Sequence, residues 1–294
     1  MLSKIQMMKL CAIAHSKAKE LADQVSAYDP DLSVVWGPGV KTRALGIPYC
    51  SAFITKSAST GNYTVAIRGT AILSEKAWVQ EDFDIGKTVP FSSFVSSAPP
   101  AAVLSQGTAN GLGYLLELVP EAGCAGQGTM VDFLRAQKDL KSIAVTGHSL
   151  GGTLTGPLFA KLKAEMGAAL SMDLMSFAAL TPGNQAFADY LDSLTPRSGW
   201  RVVNPLDVAP HFFASREAVL GIYDSEKIAP GALEVALVNK RFDAAATTFV
   251  QPGGAASVLP RVFHKLAPTW VLQLVSQHRF KIYLKLVEQE ASEG

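Results

Sequence analysis

Ile143-Ala144-Val145-Thr146-Gly147-His148-Ser149-Leu150-Gly151-Gly152 is a short apolar run that ends in Gly-x-Ser-x-Gly and passes into a pattern that reads as helix. Strand, sharp turn and helix in that order form a nucleophile elbow. A serine on such a turn holds strained backbone angles, and glycines at 147 and 151 remove side chains that would strike the neighbouring strand and helix. Ser149 is thereby presented as a nucleophile. A hydroxyl attacks poorly until an imidazole takes its proton, and the imidazole needs a carboxylate to fix its tautomer.

With the serine first in the chain, acid and base are expected after residue 149, on loops that follow later strands. Asp207 lies in Asn204-Pro205-Leu206-Asp207, just beyond the strand pattern Trp200-Arg201-Val202-Val203, where a triad acid belongs. Asp173 opens a strand, at the wrong edge, and Asp189 and Asp192 fall in a helical, solvated stretch. A turn-forming cap is the structural alternative for Asp207. Among the five histidines, His15 is in the first helix, His148 adjoins the nucleophile and should pack, and His211 sits too near Asp207. His278, opening the pattern Phe280, Tyr283, Leu284, Val287, is the expected base, with His264 as runner-up. The oxyanion of a tetrahedral intermediate needs preorganised donors. Leu150 supplies the amide after the nucleophile, and Thr70, at the end of Ala66-Ile67-Arg68-Gly69-Thr70, could give amide and hydroxyl unless that segment is a plain turn.

Composition narrows the classes. The 294 residues suit one large α/β domain, 1–294, with 48% apolar and 17% charged residues and a net charge of +1. That balance carries no electrostatic footprint for nucleic acid. No apolar run approaches a membrane span, although contact with a lipid–water surface fits so apolar a chain. The N-terminal stretch, with Lys4, Lys9, Lys17 and Lys19 among apolar residues, reads as one amphipathic helix rather than a signal peptide. Localisation is expected to be cytoplasmic, or secreted without a recognisable signal. Cys11, Cys50 and Cys124 show no metal spacing and read as free thiols, with one disulfide plus a thiol as the alternative. No metal or other cofactor is expected: there is no His-Glu-x-x-His, and Asp82-x-Asp84 lacks the rest of a calcium loop. Gly86-Lys87-Thr88 imitates the end of a phosphate loop, but Glu81 stands in place of its first glycine.

Strands are expected at Ser51–Thr55, Tyr63–Arg68, Ser142–Thr146, Asp173–Phe177 and Trp200–Val203, with helices between several of them. That alternation implies a mostly parallel sheet. The first two are joined by Ser57-Ala58-Ser59-Thr60-Gly61-Asn62, too short for a crossover helix, so they should pair antiparallel and make the sheet mixed. Two stretches, 74–100 and 230–260, read as irregular loops on the substrate side. Trp78, Phe83, Phe91 and Phe94 in the first must cover a cleft or pack into the body.

These blocks resemble, in order, those of the class 3, fungal-type lipases of the α/β-hydrolase fold. Ala66-Ile67-Arg68-Gly69-Thr70 is similar to the family's oxyanion block, and Thr146-Gly147-His148-Ser149-Leu150-Gly151-Gly152 to its elbow. Phe177-Ala178-Ala179-Leu180-Thr181-Pro182-Gly183-Asn184 resembles the block after the next strand, although it replaces the usual Gly-x-Pro. Arg201 to Pro210 resembles the acid loop, and His278 with Tyr283-Leu284 the base and its helix. Ser105-Gln106-Gly107-Thr108 departs from the usual histidine-glycine pair. The resemblance implies a mixed, mostly parallel sheet flanked by helices, a lid within 74–100, and Ser149, Asp207 and His278 as triad with Thr70 and Leu150 as oxyanion donors. It implies a triacylglycerol lipase, with a short-chain carboxylesterase or phospholipase A1 as alternatives using the same chemistry. A catalytically inactive hydrolase fold that only binds is the alternative of another class.

Overall fold

The computed structural model describes residues 2–42, 48–69, 84–167, 169–195 and 198–293. In chain order the elements are α1 (Lys4–Ile13), α2 (Ala18–Tyr28), β1 (Leu32–Thr42), β2 (Pro48–Ser57), β3 (Tyr63–Ile67), β4 (Thr88–Pro90), β5 (Val103–Ser105), α3 (Gln106–Glu117) and β6 (Pro120–Ala125). They continue with α4 (Met130–Arg135), β7 (Ser142–His148), α5 (Leu150–Met166), β8 (Ser171–Phe177), β9 (Gly183–Asn184), α6 (Gln185–Leu194) and β10 (Arg201–Val203). The last group is α7 (Arg216–Gly221), α8 (Ala232–Asp243), β11 (Phe249–Val250), β12 (Ser257–Val258), α9 (Trp270–Gln277) and α10 (Phe280–Glu293). The chain forms two compact units, one from Met1–Ala71 with Asn110–Ser176, the other from Ile72–Ala109 with Phe177–Gly294.

The first unit is built on strands in the order β8-β7-β3-β2-β1-β6. β2 pairs antiparallel with β3, Ala52 opposite Ile67, and β3 pairs parallel with β7, Ile67 opposite Gly147, so the sheet is mixed as expected. Residues 143–148 of β7 are all buried, which is why the strand reads as an unbroken apolar run instead of an alternating one. β1 was not expected, because Gly37, Pro38 and Gly39 punctuate its sequence; its register shifts around those residues. The single N-terminal helix is instead two. α1 stops at Ile13, and Lys17 starts α2 in extended backbone. Leu10, Ile13, Leu21 and Val25 from the pair close on Leu32, Phe53 and Ala66 of the strands. Full burial of each such side chain stabilises the unit by roughly 1.5–3 kcal/mol. All three cysteines are free thiols.

The second unit contains the parallel pair β10–β12 and a small antiparallel sheet in the order β11-β9-β5-β4. The stretch 230–260, expected to be irregular, holds α8, β11 and β12. Val238 and Phe242, one turn apart on α8, join the apolar cluster of Leu206, Tyr223, Phe249 and Trp270, a helical spacing hidden among turn-forming neighbours. In the stretch 74–100, Trp78 and Phe83 lie outside the described residues, but Phe91 is fully buried with its ring edge-on to Phe187 of α6, centroids 5.0 Å apart. That ring packs into the body. Gly86-Lys87-Thr88 leads into β4 and not into a helix, unlike a phosphate loop.

Candidate active site

Ser149 stands between β7 and α5 with φ 61 and ψ −125, a conformation L-residues avoid. The strain is tolerated because the backbone around it is closely packed. A Cβ on Gly147 would lie 2.2 Å from the Gly151 carbonyl oxygen, and one on Gly151 2.4 Å from that of Ile67. The glycines of Gly-x-Ser-x-Gly are therefore required by contact as well as by conformation. α5 begins at Leu150, so the Leu150 amide belongs to the first turn, whose N–H groups have no intrahelical partner. It is oriented to donate, and the helix N-terminus favours an anion there. Thr70 lies outside the described residues.

Asp207 and His278 are brought together from opposite ends of the acid-to-base segment. Both are fully buried, and Nδ1 of His278 lies 2.9 Å from Oδ2 and 3.1 Å from Oδ1 of Asp207. With Nδ1–H donating to the carboxylate, Nε2 is left as the proton acceptor, the tautomer a general base requires. The carboxylate is satisfied further: its Oδ1 accepts from the Ala209 amide at 3.0 Å and its Oδ2 from the Tyr283 hydroxyl at 2.7 Å. These donors fix the carboxylate plane. Tyr283 in turn accepts the Asn204 amide at 3.1 Å, and burial with the Asp207 charge holds its hydroxyl well above the usual tyrosine range. It remains a donor at any working pH.

Asn204 ties the acid loop to the base. Its side-chain amide donates to the carbonyl oxygen of Gln277 at 3.0 Å and to Gln277 Oε1 at 2.9 Å. Asn204 and Gln277 were not singled out from the sequence as functional; both are buried polar residues next to apolar runs, and that contrast was the available signal. His278 caps α9 and precedes α10, whereas the sequence placed it simply at a helix start. The runner-up His264 is exposed and engages Ser276 Oγ through Nδ1 at 2.5 Å. His211 is half-buried, and burial lowers its affinity for a proton while the Asp207 charge opposes that shift. Asp192 is exposed, as expected, and also accepts the Gly253 amide at 2.5 Å.

A strained serine at a strand-to-helix turn, and a buried Asp–His pair on loops after later strands, are the parts of an α/β-hydrolase of the serine class. Comparison with known proteins narrows the class. The family model for lipase (class 3) matches residues 64–217, more than half of the chain. The chain belongs to the class 3 lipase family and is a carboxylic ester hydrolase. That match includes Ser149 and Asp207 and stops short of His278. Among solved structures, M37 lipase is similar with a TM-score of 0.80 and 26% identity, over 97% of this chain and 92% of that one. The nonglycosylated LIP2 lipase of Yarrowia lipolytica is similar in fold, with a TM-score of 0.55 and 17% identity over 70% of this chain and 72% of that one. A triacylglycerol lipase described as having a serine-protease triad gives a TM-score of 0.51 and 21% identity, over 70% of this chain and 72% of that one. No curated protein matches the sequence.

Proposed function

We propose that this hydrolase is a triacylglycerol lipase in which Ser149 attacks the ester carbonyl, His278 takes and returns the proton, and Asp207 orients the imidazole. The buried Asp207–His278 pair carries the reading, because a carboxylate on Nδ1 fixes the tautomer in which Nε2 is the atom that takes a serine proton. The alcohol leaves as the proton returns, and water then cleaves the acyl-enzyme by the same route. In this reading the Leu150 amide and Thr70 hold the oxyanion, and loss of one donor slows turnover by about a hundredfold to a thousandfold.

A lid within 74–100 would regulate access. The reading is supported by the burial of the residues concerned: His278 is fully buried and Ser149 is 7% exposed. We place the substrate at a lipid–water surface because the chain belongs to a lipase family. The test is hydrolysis of p-nitrophenyl esters from short to long acyl chains, with Ser149→Ala at each length. Activity rising toward long chains and absent from the variant is expected. A maximum at the shortest chain would make the protein a carboxylesterase, activity greatest on phospholipid would make it a phospholipase A1, and no activity in folded protein would leave a binding module.

A further inference from the structure

In the second unit, α9 ends against the loop that carries Asp207, and the side chains that meet there are primary amides. Gln273 and Gln277, one turn apart on the helix, and Asn204 of the acid loop are all buried. Buried amides cost free energy unless each donor and acceptor finds a partner, a demand that leucines at the same places would not make. Here the partners are found. Gln277 Nε2 donates to the Val262 carbonyl oxygen and to Gln273 Oε1, each at 3.1 Å, and Gln273 Nε2 to the carbonyl oxygens of His264 at 2.7 Å and Ala267 at 2.8 Å. That leaves Gln277 Oε1 for the Asn204 amide, while Asn204 Oδ1 accepts from the Leu206 amide at 3.0 Å and closes the turn that leads to Asp207. Apolar side chains would fill the same space without direction; amides fix one alignment.

The alignment bears on the chemistry because the two segments are fastened twice. Asp207 meets His278, and three residues earlier in the loop Asn204 meets Gln277, the residue before His278. Gln277 is the last residue of α9, where a helix leaves its carbonyl groups without an internal partner. Asn204 supplies that partner from the acid loop, so the end of the helix and the acid move as one. A ring held through Nδ1 alone can pivot about that one hydrogen bond, whereas a second fastening at the neighbouring residue fixes the backbone from which the ring projects. We propose that Asn204 and Gln277 are positioning residues for ester hydrolysis, their contact holding the His278 imidazole in register with the Asp207 carboxylate. The proposal rests on the reading of Asp207 and His278 as acid and base. A misplacement of about 1 Å in such a group can cost about a hundredfold in rate.

The test uses Gln277→Met, which keeps the length of the side chain but neither accepts from Asn204 nor donates to residue 262. On a soluble p-nitrophenyl ester, kcat should fall by roughly thirtyfold with KM changed less than about twofold. The acid limb of the kcat/KM profile should move to lower pH, because an imidazolium seated less squarely on the carboxylate is less stabilised. Tyr283, Tyr223 and His211, the other titratable groups that feel the Asp207 charge, are unchanged in the variant. Loss of folded protein would lower the whole profile and leave its limb in place. Asn204→Asp, of the same shape and keeping the oxygen that closes the turn, removes the donor from the other side and should lower kcat by a similar factor, which keeps the test open if Gln277→Met folds poorly. Added to Asp207→Asn, Gln277→Met should cost no more than about twofold further, since the pair it aligns is already broken. Parental kcat in both single variants, a loss carried wholly by KM, an unmoved acid limb, or the full loss repeated on the Asp207→Asn background would each overturn the proposal. Full activity in His278→Ala or Asp207→Asn would instead overturn the assignment of acid and base beneath it.

Discussion

At the scale of the residue, the proposed function reduces to how three side chains and one backbone amide are held. In the proposed mechanism the imidazole of His278 acts as a base because Asp207 occupies Nδ1, and Asp207 stays in place because Tyr283 and the Ala209 amide hold its other lone pairs. His278→Ala is expected to abolish hydrolysis, and Asp207→Asn, which favours the wrong tautomer, to lower kcat by about 10⁴ as in serine proteases. If His264→Ala proved the more damaging histidine variant, the assignment of the base would fail. Tyr283→Phe is subtler. Losing the hydroxyl concentrates the Asp207 charge on the imidazole, so the acid limb of the kcat/KM profile should move to higher pH with KM little changed. A pH profile superimposable on the parent would reduce Tyr283 to a packing residue. His15 makes a separate prediction. Burial and the nearby Arg68 charge push its pKa down from 6.5 to about 4, so between those values the unfolded chain binds the extra proton. The stability contribution is whole above the unfolded value and falls as pH drops, by about 2 kcal/mol at pH 5. Urea unfolding of the parent and His15→Gln near neutrality and near pH 5 should show that loss only in the parent.

At the scale of the element, the turns decide more than the strands. After β8 the family's glycine is replaced by Ala178, and the structure puts this alanine at φ 53, in the left-handed region where Cβ crowds the carbonyl. Its amide still reaches the Val202 carbonyl oxygen at 3.3 Å. The departure noted in the sequence thus has a physical cost of about 1 kcal/mol. Ala178→Gly should therefore leave stability within about 0.5 kcal/mol of the parent, strain relief offsetting lost burial and added chain entropy. Ala144→Gly in β7, which relieves no strain, should cost about 1 kcal/mol, and equal losses in the two variants by chemical denaturation would refute the account. Strands such as β7 were legible because both faces are apolar. α8 was not, because its helical spacing sits between Pro230-Gly231 and a run of alanines and threonines, and β1 was masked by its own Gly-Pro-Gly.

At the scale of the whole molecule, chemistry was more legible than architecture. Ser149, Asp207 and His278 could each be reached from local signals: an elbow, a position just after a strand, a position beside a helix. The Asp207–Tyr283–Asn204–Gln277 network could not, since it depends on contacts between residues some 70 to 80 positions apart that no local pattern encodes. Nor could the two compact units be read off, because each is assembled from separated segments and no linker marks the boundary. The order of those segments has a consequence for biosynthesis. Ser149 is translated long before residue 278, and the groups that complete the acid–base pair, His278 and Tyr283, follow Asp207 by 71 and 76 positions. A nascent chain that has reached Gln277 already carries Ser149 and Asp207 but no imidazole to pair with that carboxylate. Synthesis order alone therefore leaves the Asp207–His278 pair incomplete until residue 278 has been added.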